Sequence, residues 1–546
     1  MSRPPAPTLP LSRRSDGRPF PGLARRSAAA VDFSDPRWGW VGTFVVTALA
    51  GFLRLWHLGS PKSFLFDETY YAKQAWSLLH HGYAQSYVEG ANAKILAGQW
   101  SERLWTGQPE YVVHPEVGKW LIACGEHLFG FTPYGWRFAS AAAGTLMVFV
   151  MVRLARRLTG STTLGLIAGL LMCFDGLQLV LSRLALLDIF QALFILCAVS
   201  ALVADRDWGR ARLFAASPGV ATRFGPLLWW RPWRVLAGVW FGLALGTKWS
   251  TLYVIAAFGL LTWAWDAGAR RRLGVDRPWT KAALVDALPA FGWLVVVPVV
   301  IYIASWTGWL LQAEVYEKAF RDTQYGPDWG SYLRHDAHGF FAEAWQSLQS
   351  LWHYHHDIYS FHTQFLNDAT HTYQSKPWGW LLQSRPVGID AQLEIQPGTQ
   401  GCAAAAGSTC LRQILLLGNP IIWWAGSAAL IYSVTAWLGR RDWRFGLAVI
   451  GVLVTWLTWV PNDDRPIFSY YAITIEPFLI LALTLTLGRI LGPADATAER
   501  RRLGGAIVGG FMVLVTLTFV FFWPIWTDQL LTTTEWLRRI WFKAWI

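Results

Sequence analysis

The chain has 546 residues, of which 53% are hydrophobic, 36 are tryptophan and only 15% are charged, against about 25% charged in soluble proteins. With repeated apolar runs of about 20 residues, that balance excludes an ordinary soluble domain and indicates an all-α polytopic membrane protein. The formal net charge of +12 falls in short arginine clusters between the apolar runs, a positive-inside pattern that argues against nucleic acid as a partner.

Residues 1–35 are rich in Pro, Arg and Ser and lack an apolar signal core, so they are expected to form a disordered cytoplasmic tail. Arg13-Arg14 is not followed by the apolar segment a twin-arginine export signal requires. A first span at 38–56 leads outward into a long loop, 57–135, in which 119–130 (KWLIACGEHLFG) is expected to lie as an amphipathic helix at the membrane interface. The next span starts near Trp136 and returns at Arg153, Arg156 and Arg157. Further spans are expected at 162–181, 186–204, 233–247, 250–266 and 284–308, the middle pair closing tightly around Lys248. A second long loop, 311–417, precedes spans at 419–438, 445–460, 470–490 and 503–525. The count is about eleven transmembrane helices, with long first and fourth extracytoplasmic loops and every arginine cluster on one side. The expected organisation is a tail (1–35), an N-terminal transmembrane catalytic core (36–310) and the extracytoplasmic loop 311–417. C-terminal transmembrane helices (418–526) and an extracytoplasmic C-terminal segment (527–546) complete it.

This threading brings Asp67, Glu68, Arg137, Lys248, the 311–417 loop and residues 462–465 to the non-cytoplasmic side. Adjacent carboxylates beside a bilayer are costly unless they serve chemistry or pair with a cation. A solvated loop, or an ion pair with Arg54 or Lys73, is the plainer alternative. A transporter would rather bury its ionisable groups near the midplane. Outside the cytoplasm no nucleotide sugar is supplied, so a biosynthetic enzyme there needs a donor delivered by lipid. A polyprenyl-phosphate sugar fits: its phosphate leaves with cationic help, and a carboxylate takes the acceptor hydroxyl's proton. Asp67 or Glu68 could be that base, and Arg137 and Lys248 the phosphate clamp. Each lone cation could equally be a snorkelling residue at a helix end.

Several stretches in order carry a resemblance. They are Arg54 followed by FDETYYAK, HPEVGKWL at 114–121, YGWRFASAAAG at 134–144, LALLD at 184–188 and GTKWSTLY at 246–253. HTYQSKPWGWLLQSRPV at 371–387, GNPIIWW at 418–424 and RPIFSYY at 465–471 complete the set. Together they resemble the protein O-mannosyltransferase family in its actinobacterial form, with Glu116 standing where that family usually has a second proline. The resemblance implies a GT-C glycosyltransferase fold in the plasma membrane and a polyprenyl-phosphate mannose donor. It further implies Ser/Thr-rich secreted or membrane proteins as acceptors and inversion at the anomeric carbon; a secretion translocon is a candidate partner, and the sequence leaves coupling to it open. The family's acidic pair maps to Asp67 and Glu68, and its arginines to Arg54 and Arg137. Lys248, His371, Gln374 and Arg465 are expected around the donor, with His114, Lys119, His362 and Asp188 as substrate contacts. Two other readings stay open: a polyprenyl-phosphate-sugar transferase acting on an envelope glycan or lipid, and a lipid-linked sugar flippase.

The histidines at 353, 355, 356, 362 and 371 match no strong ligand spacing, so neither a divalent metal nor any other cofactor beyond the lipid donor is expected. Cys124, Cys173 and Cys197 lie in apolar helices and are expected in the core, whereas Cys402 and Cys410 bracket a short loop suited to a disulfide.

Overall fold

The computed structural model describes residues 36–216, 224–320, 339–493 and 495–546; the expected tail 1–35 lies outside the described residues. Helices start where the sequence supplies a cap and a proline. Thr132 accepts the N–H of Gly135 ahead of Pro133, and Asn419 accepts that of Ile421 around Pro420. Among the described residues, eight helices are long and apolar enough to cross a membrane. They are Arg37–Leu55, Pro133–Thr159, Asp188–Ala216, Thr251–Arg272, Pro278–Ser305, Pro420–Arg440, Trp443–Asn462 and Ala498–Trp526. Asp188–Ala216 is the most enclosed of these and Pro278–Ser305 the most peripheral.

The other three expected spans fall on shorter helices, Thr162–Cys173, Pro232–Leu245 and Glu476–Leu491. The expected continuous span 162–181 is broken. Asp175 leaves helical geometry, caps a new helix at Gly176–Leu181 and accepts N–H groups of Gln178, Asn419 and Trp423 at 3.1, 2.9 and 2.8 Å. A buried carboxylate with three donors is worth more to the chain than one more turn of helix.

Between the first two long helices stand α1 (Glu68–His81), the hairpin β1 (Gln85–Tyr87) and β2 (Trp105–Pro109), and α2 (Val117–Phe129). Cys124 on α2 is exposed, not in the core; Cys173 is buried and Cys197 intermediate. The second long loop holds α3 (Phe340–Thr363) and the strands β3 (Val387–Ile395) and β4 (Cys410–Leu416), and β5 (Leu531–Thr532) from the C-terminal segment joins them in an antiparallel sheet of order β3, β4, β5. The C-terminal segment therefore closes back on the loop, and the buried Trp545 donates to the carbonyl of Gln383 at 2.8 Å. Cys402 and Cys410 are joined by a disulfide with Cα atoms 5.7 Å apart.

Candidate active site

Asp67 is the residue just before α1, and the backbone bends sharply to present it. Phe66 adopts φ 51°, rare for an aromatic residue. Its ring is held edge-on by His371, Phe468 and Tyr470 at centroid distances of 5.9, 5.6 and 5.9 Å. Packing on three sides is what sustains such a conformation, and strain of this kind concentrates at functional positions.

The two acidic neighbours have opposite surroundings. Glu68 is fully buried, and every lone pair is spoken for. Arg137 donates to it twice at 2.8 Å, the backbone N–H of Leu65 and Ala185 at 2.9 and 3.0 Å, and the Trp136 indole at 3.3 Å. Asp67 is only half-buried and accepts from the Tyr71 hydroxyl one turn on. Burial pushes its carboxyl up to about 6, with the Asp188 charge adding to the rise and the Lys248 charge and Tyr71 opposing it. One carboxylate is locked in place; the other is open and poised near neutrality.

Lys248, in the short connection between Pro232–Leu245 and Thr251–Arg272, donates to both oxygens of Asp188 at 2.9 and 2.8 Å and lies 5.0 Å from the Tyr471 ring centroid. On the far wall, α3 delivers His362. Its Nδ1 accepts from Arg465 at 2.9 Å and its Nε2–H donates to the carbonyl of Val113 at 3.4 Å, so that bonding fixes the tautomer. Burial and the Arg465 charge lower His362 to about 4. His114 stacks on it at 5.5 Å and is likewise pushed well below its ordinary value by burial and by Lys248. Both imidazoles are therefore neutral, and Lys248 and Arg465 are the cations of this cluster. Among the described residues Arg465 has no ion pair, so its guanidinium charge is uncompensated.

The other expected contacts lie elsewhere or act differently. Arg137 was expected on a phosphate, but it is fully buried. Its five N–H donors go to Glu68 and to the carbonyls of Leu58, Pro61 and Ser63. Arg54 is fully buried too, bonded to Gln178 and to the carbonyls of Ala50 and Met172. Neither guanidinium has room for a donor phosphate without breaking these contacts. Lys119 is buried beside Glu116 and donates to the carbonyl of His114 at 3.0 Å, so it supports that histidine from behind. His371 and Gln374 are exposed at the rim, where they bond each other across a turn.

Four groups escaped the sequence reading. Arg183 gathers the carbonyls of Arg54, Trp56 and His57 at 3.1, 2.5 and 3.3 Å, holding the strand of chain that leads to Asp67. It stands one residue before the LALLD stretch, and the free carbonyls at a helix C-terminus were the available signal. Tyr71, Tyr470 and Tyr471 wall the Asp67–Asp188–Lys248 cluster; their spacing resembles ordinary interfacial tyrosine. Among the described residues no group of three His, Cys, Asp or Glu side chains is placed to hold a metal ion.

The family described as Dolichyl-phosphate-mannose-protein mannosyltransferase matches residues 44–310, and the C-terminal four TMM region of protein-O-mannosyltransferase matches 347–545. A Mycolicibacterium smegmatis protein named Polyprenol-phosphate-mannose--protein mannosyltransferase is 37% identical over 519 residues, 93% of each chain. A Corynebacterium glutamicum protein of the same name is 33% identical over 517 residues, again 93% of each. The fold resembles a chain of the Saccharomyces cerevisiae Pmt1-Pmt2 complex bound to the sugar donor, with TM-score 0.65 at 14% identity, covering 99% of this chain and 97% of that one. The chain belongs to the polyprenol-phosphate-mannose–protein mannosyltransferase family.

Proposed function

We propose that this protein transfers mannose from polyprenyl-phosphate mannose to Ser/Thr hydroxyls of exported proteins, with Asp67 as the base. The observation that carries this reading is the half-open Asp67 carboxyl, near 6, facing the buried Lys248–Asp188 pair. The acceptor hydroxyl approaches Asp67, its oxygen attacks the anomeric carbon, and the proton passes to the carboxylate. The sugar–phosphate bond breaks on the opposite face, and Arg465 and Lys248 receive the developing phosphate charge. A single displacement of this kind inverts the anomeric centre.

In this account Glu68 and Arg137 position the loop that presents Asp67, and Arg54 and Arg183 hold the preceding stretch. The arginine clusters, read as cytoplasmic, support a site on the outer face of the plasma membrane with the N-terminus inside. Acceptors reach that face after export, which favours coupling to a secretion translocon.

The test is incubation of the purified chain with radiolabelled polyprenyl-phosphate mannose and, in parallel, a Ser/Thr-rich peptide or an envelope glycan. Label on the peptide is expected. Label on the glycan alone would move the protein to the envelope-sugar reading, and vesicle-to-vesicle movement of the donor without transfer would make it a flippase.

A further inference from the structure

The connection that carries Lys248 also carries a tryptophan that the transfer chemistry leaves unused. Trp249 is half-buried against two histidines of α3. Its ring stacks on His355 at a centroid distance of 5.5 Å and 21°, and meets His362 edge-on at 6.4 Å and 67°, both within the range of favourable ring pairs. Positions 355 and 362 are seven apart, so they share one face of the helix. His362 in turn accepts from Arg465. One side chain thus joins the connection that carries one cation to the helix that holds the other.

Hydrogen bonds fix how Trp249 sits. Its indole N–H donates at 2.7 Å to the hydroxyl of Tyr302, near the end of the span Pro278–Ser305. The same hydroxyl bonds Nε2 of His355. Nδ1 of His355 lies 2.7 Å from the carbonyl of Leu351, which can only accept, so the proton of the neutral ring is on Nδ1 and Nε2 is an acceptor. Burial lowers His355 to about 4, which keeps that ring neutral. The Tyr302 hydroxyl therefore accepts from Trp249 and donates to His355, and neither role can be reversed. The amide of Gln191 holds the same connection through Ser250 and Thr251, at 2.8 Å each.

The charges of Lys248 and Arg465 both act on His114 and His362. Two cations that share neighbours repel each other, and these two sit on elements distant in sequence. Until an anion bridges them, a neutral tie has to hold those elements together. We propose that Trp249 is that tie, a positioning residue that, oriented by Tyr302 and His355, sets Lys248 and Arg465 at the spacing a donor phosphate bridges. The inference rests on Lys248 and Arg465 as the cations that receive the phosphate.

The test measures binding of radiolabelled polyprenyl-phosphate mannose to the full chain in detergent, with the melting temperature taken alongside. Tyr302→Phe removes one hydroxyl, and Trp249→Phe keeps a ring in the stack while removing the N–H. Each should fold with a modestly lower melting temperature and weaken donor binding about tenfold, a size ordinary for coupled neighbours. Arg465→Gln should weaken it as well. Added to Arg465→Gln, either ring variant should cost no more than about threefold, because one of the two cations it aligned is gone. A purely structural role would lower the melting temperature and leave no such coupling. Wild-type donor affinity in both folded ring variants overturns the proposal, as does a full tenfold cost on top of Arg465→Gln. Unchanged affinity in Arg465→Gln alone overturns the phosphate role of that cation, and this inference with it.

Discussion

Arg137 grips Glu68 through two parallel hydrogen bonds of 2.8 Å, with both side chains fully buried. The fork geometry leaves the neighbouring Asp67 as the open carboxylate of the pair.

Arg137→Ala should therefore act on the fold before it acts on the donor. Removing one partner of a buried pair leaves an uncompensated charge and costs about 3–5 kcal/mol. A markedly lower melting temperature is expected, with the residual active fraction keeping a near-normal KM for the lipid donor. Unchanged stability with a KM raised for the donor alone would return Arg137 to the phosphate.

Lys248 bears on the acidity of Asp67. Its charge lowers the Asp67 carboxyl, while that of Asp188 raises it. Lys248→Met removes the first influence and unmasks the second, so both changes push the carboxyl above 6. The rise of kcat/KM with pH should then move to higher pH by about one unit. A profile of unchanged position and lower height would mean that Lys248 touches the phosphate without tuning the base.

The disulfide between Cys402 and Cys410 closes a short loop at the start of β4, far along the chain from Asp67. Replacing both with Ser should lower stability by about 2–3 kcal/mol and leave transfer intact. Loss of transfer at full stability would tie this loop to acceptor binding.

Sidedness can be read by labelling in a Cys124→Ser background, since Cys124 is exposed. A cysteine at exposed Gln349 on α3 should react with an impermeant maleimide in intact cells. One at exposed Thr497 should react only after lysis. The reverse pattern would put Asp67 among nucleotide sugars and remove the reason for a lipid donor.

The apolar runs and arginine clusters made the helices legible, because each span must satisfy its own backbone and keep its charges at one end. The break at Asp175 was not legible: its acceptors are used by Asn419 and Trp423, more than 240 residues away in sequence. The same holds at the site. FDETYYAK flags two acids, but only the fold shows that Ala185 and Arg137 close over Glu68 and leave Asp67 open. Arginine in an apolar sequence looks like a ligand for phosphate, while Arg54, Arg137 and Arg183 turn inward to collect carbonyls. The choice between those two tasks depends on loop carbonyls that no local pattern encodes.

The most direct test of the account is Asp67→Asn, measured for stability, donor binding and transfer together. The folded carboxyl titrates at about 6 rather than its ordinary 3.8, so the native state holds the proton more tightly than the unfolded chain. Its contribution to stability is thus lost as pH rises from about 4 to about 6. At pH 7 the neutral amide should be no less stable than wild type, with a gain of at most about 3 kcal/mol. Donor binding should persist, and transfer should fall by about 10²–10⁴-fold, the usual cost of a lost general base. Near-wild-type transfer by the well-folded variant would contradict the assignment of Asp67 as the base.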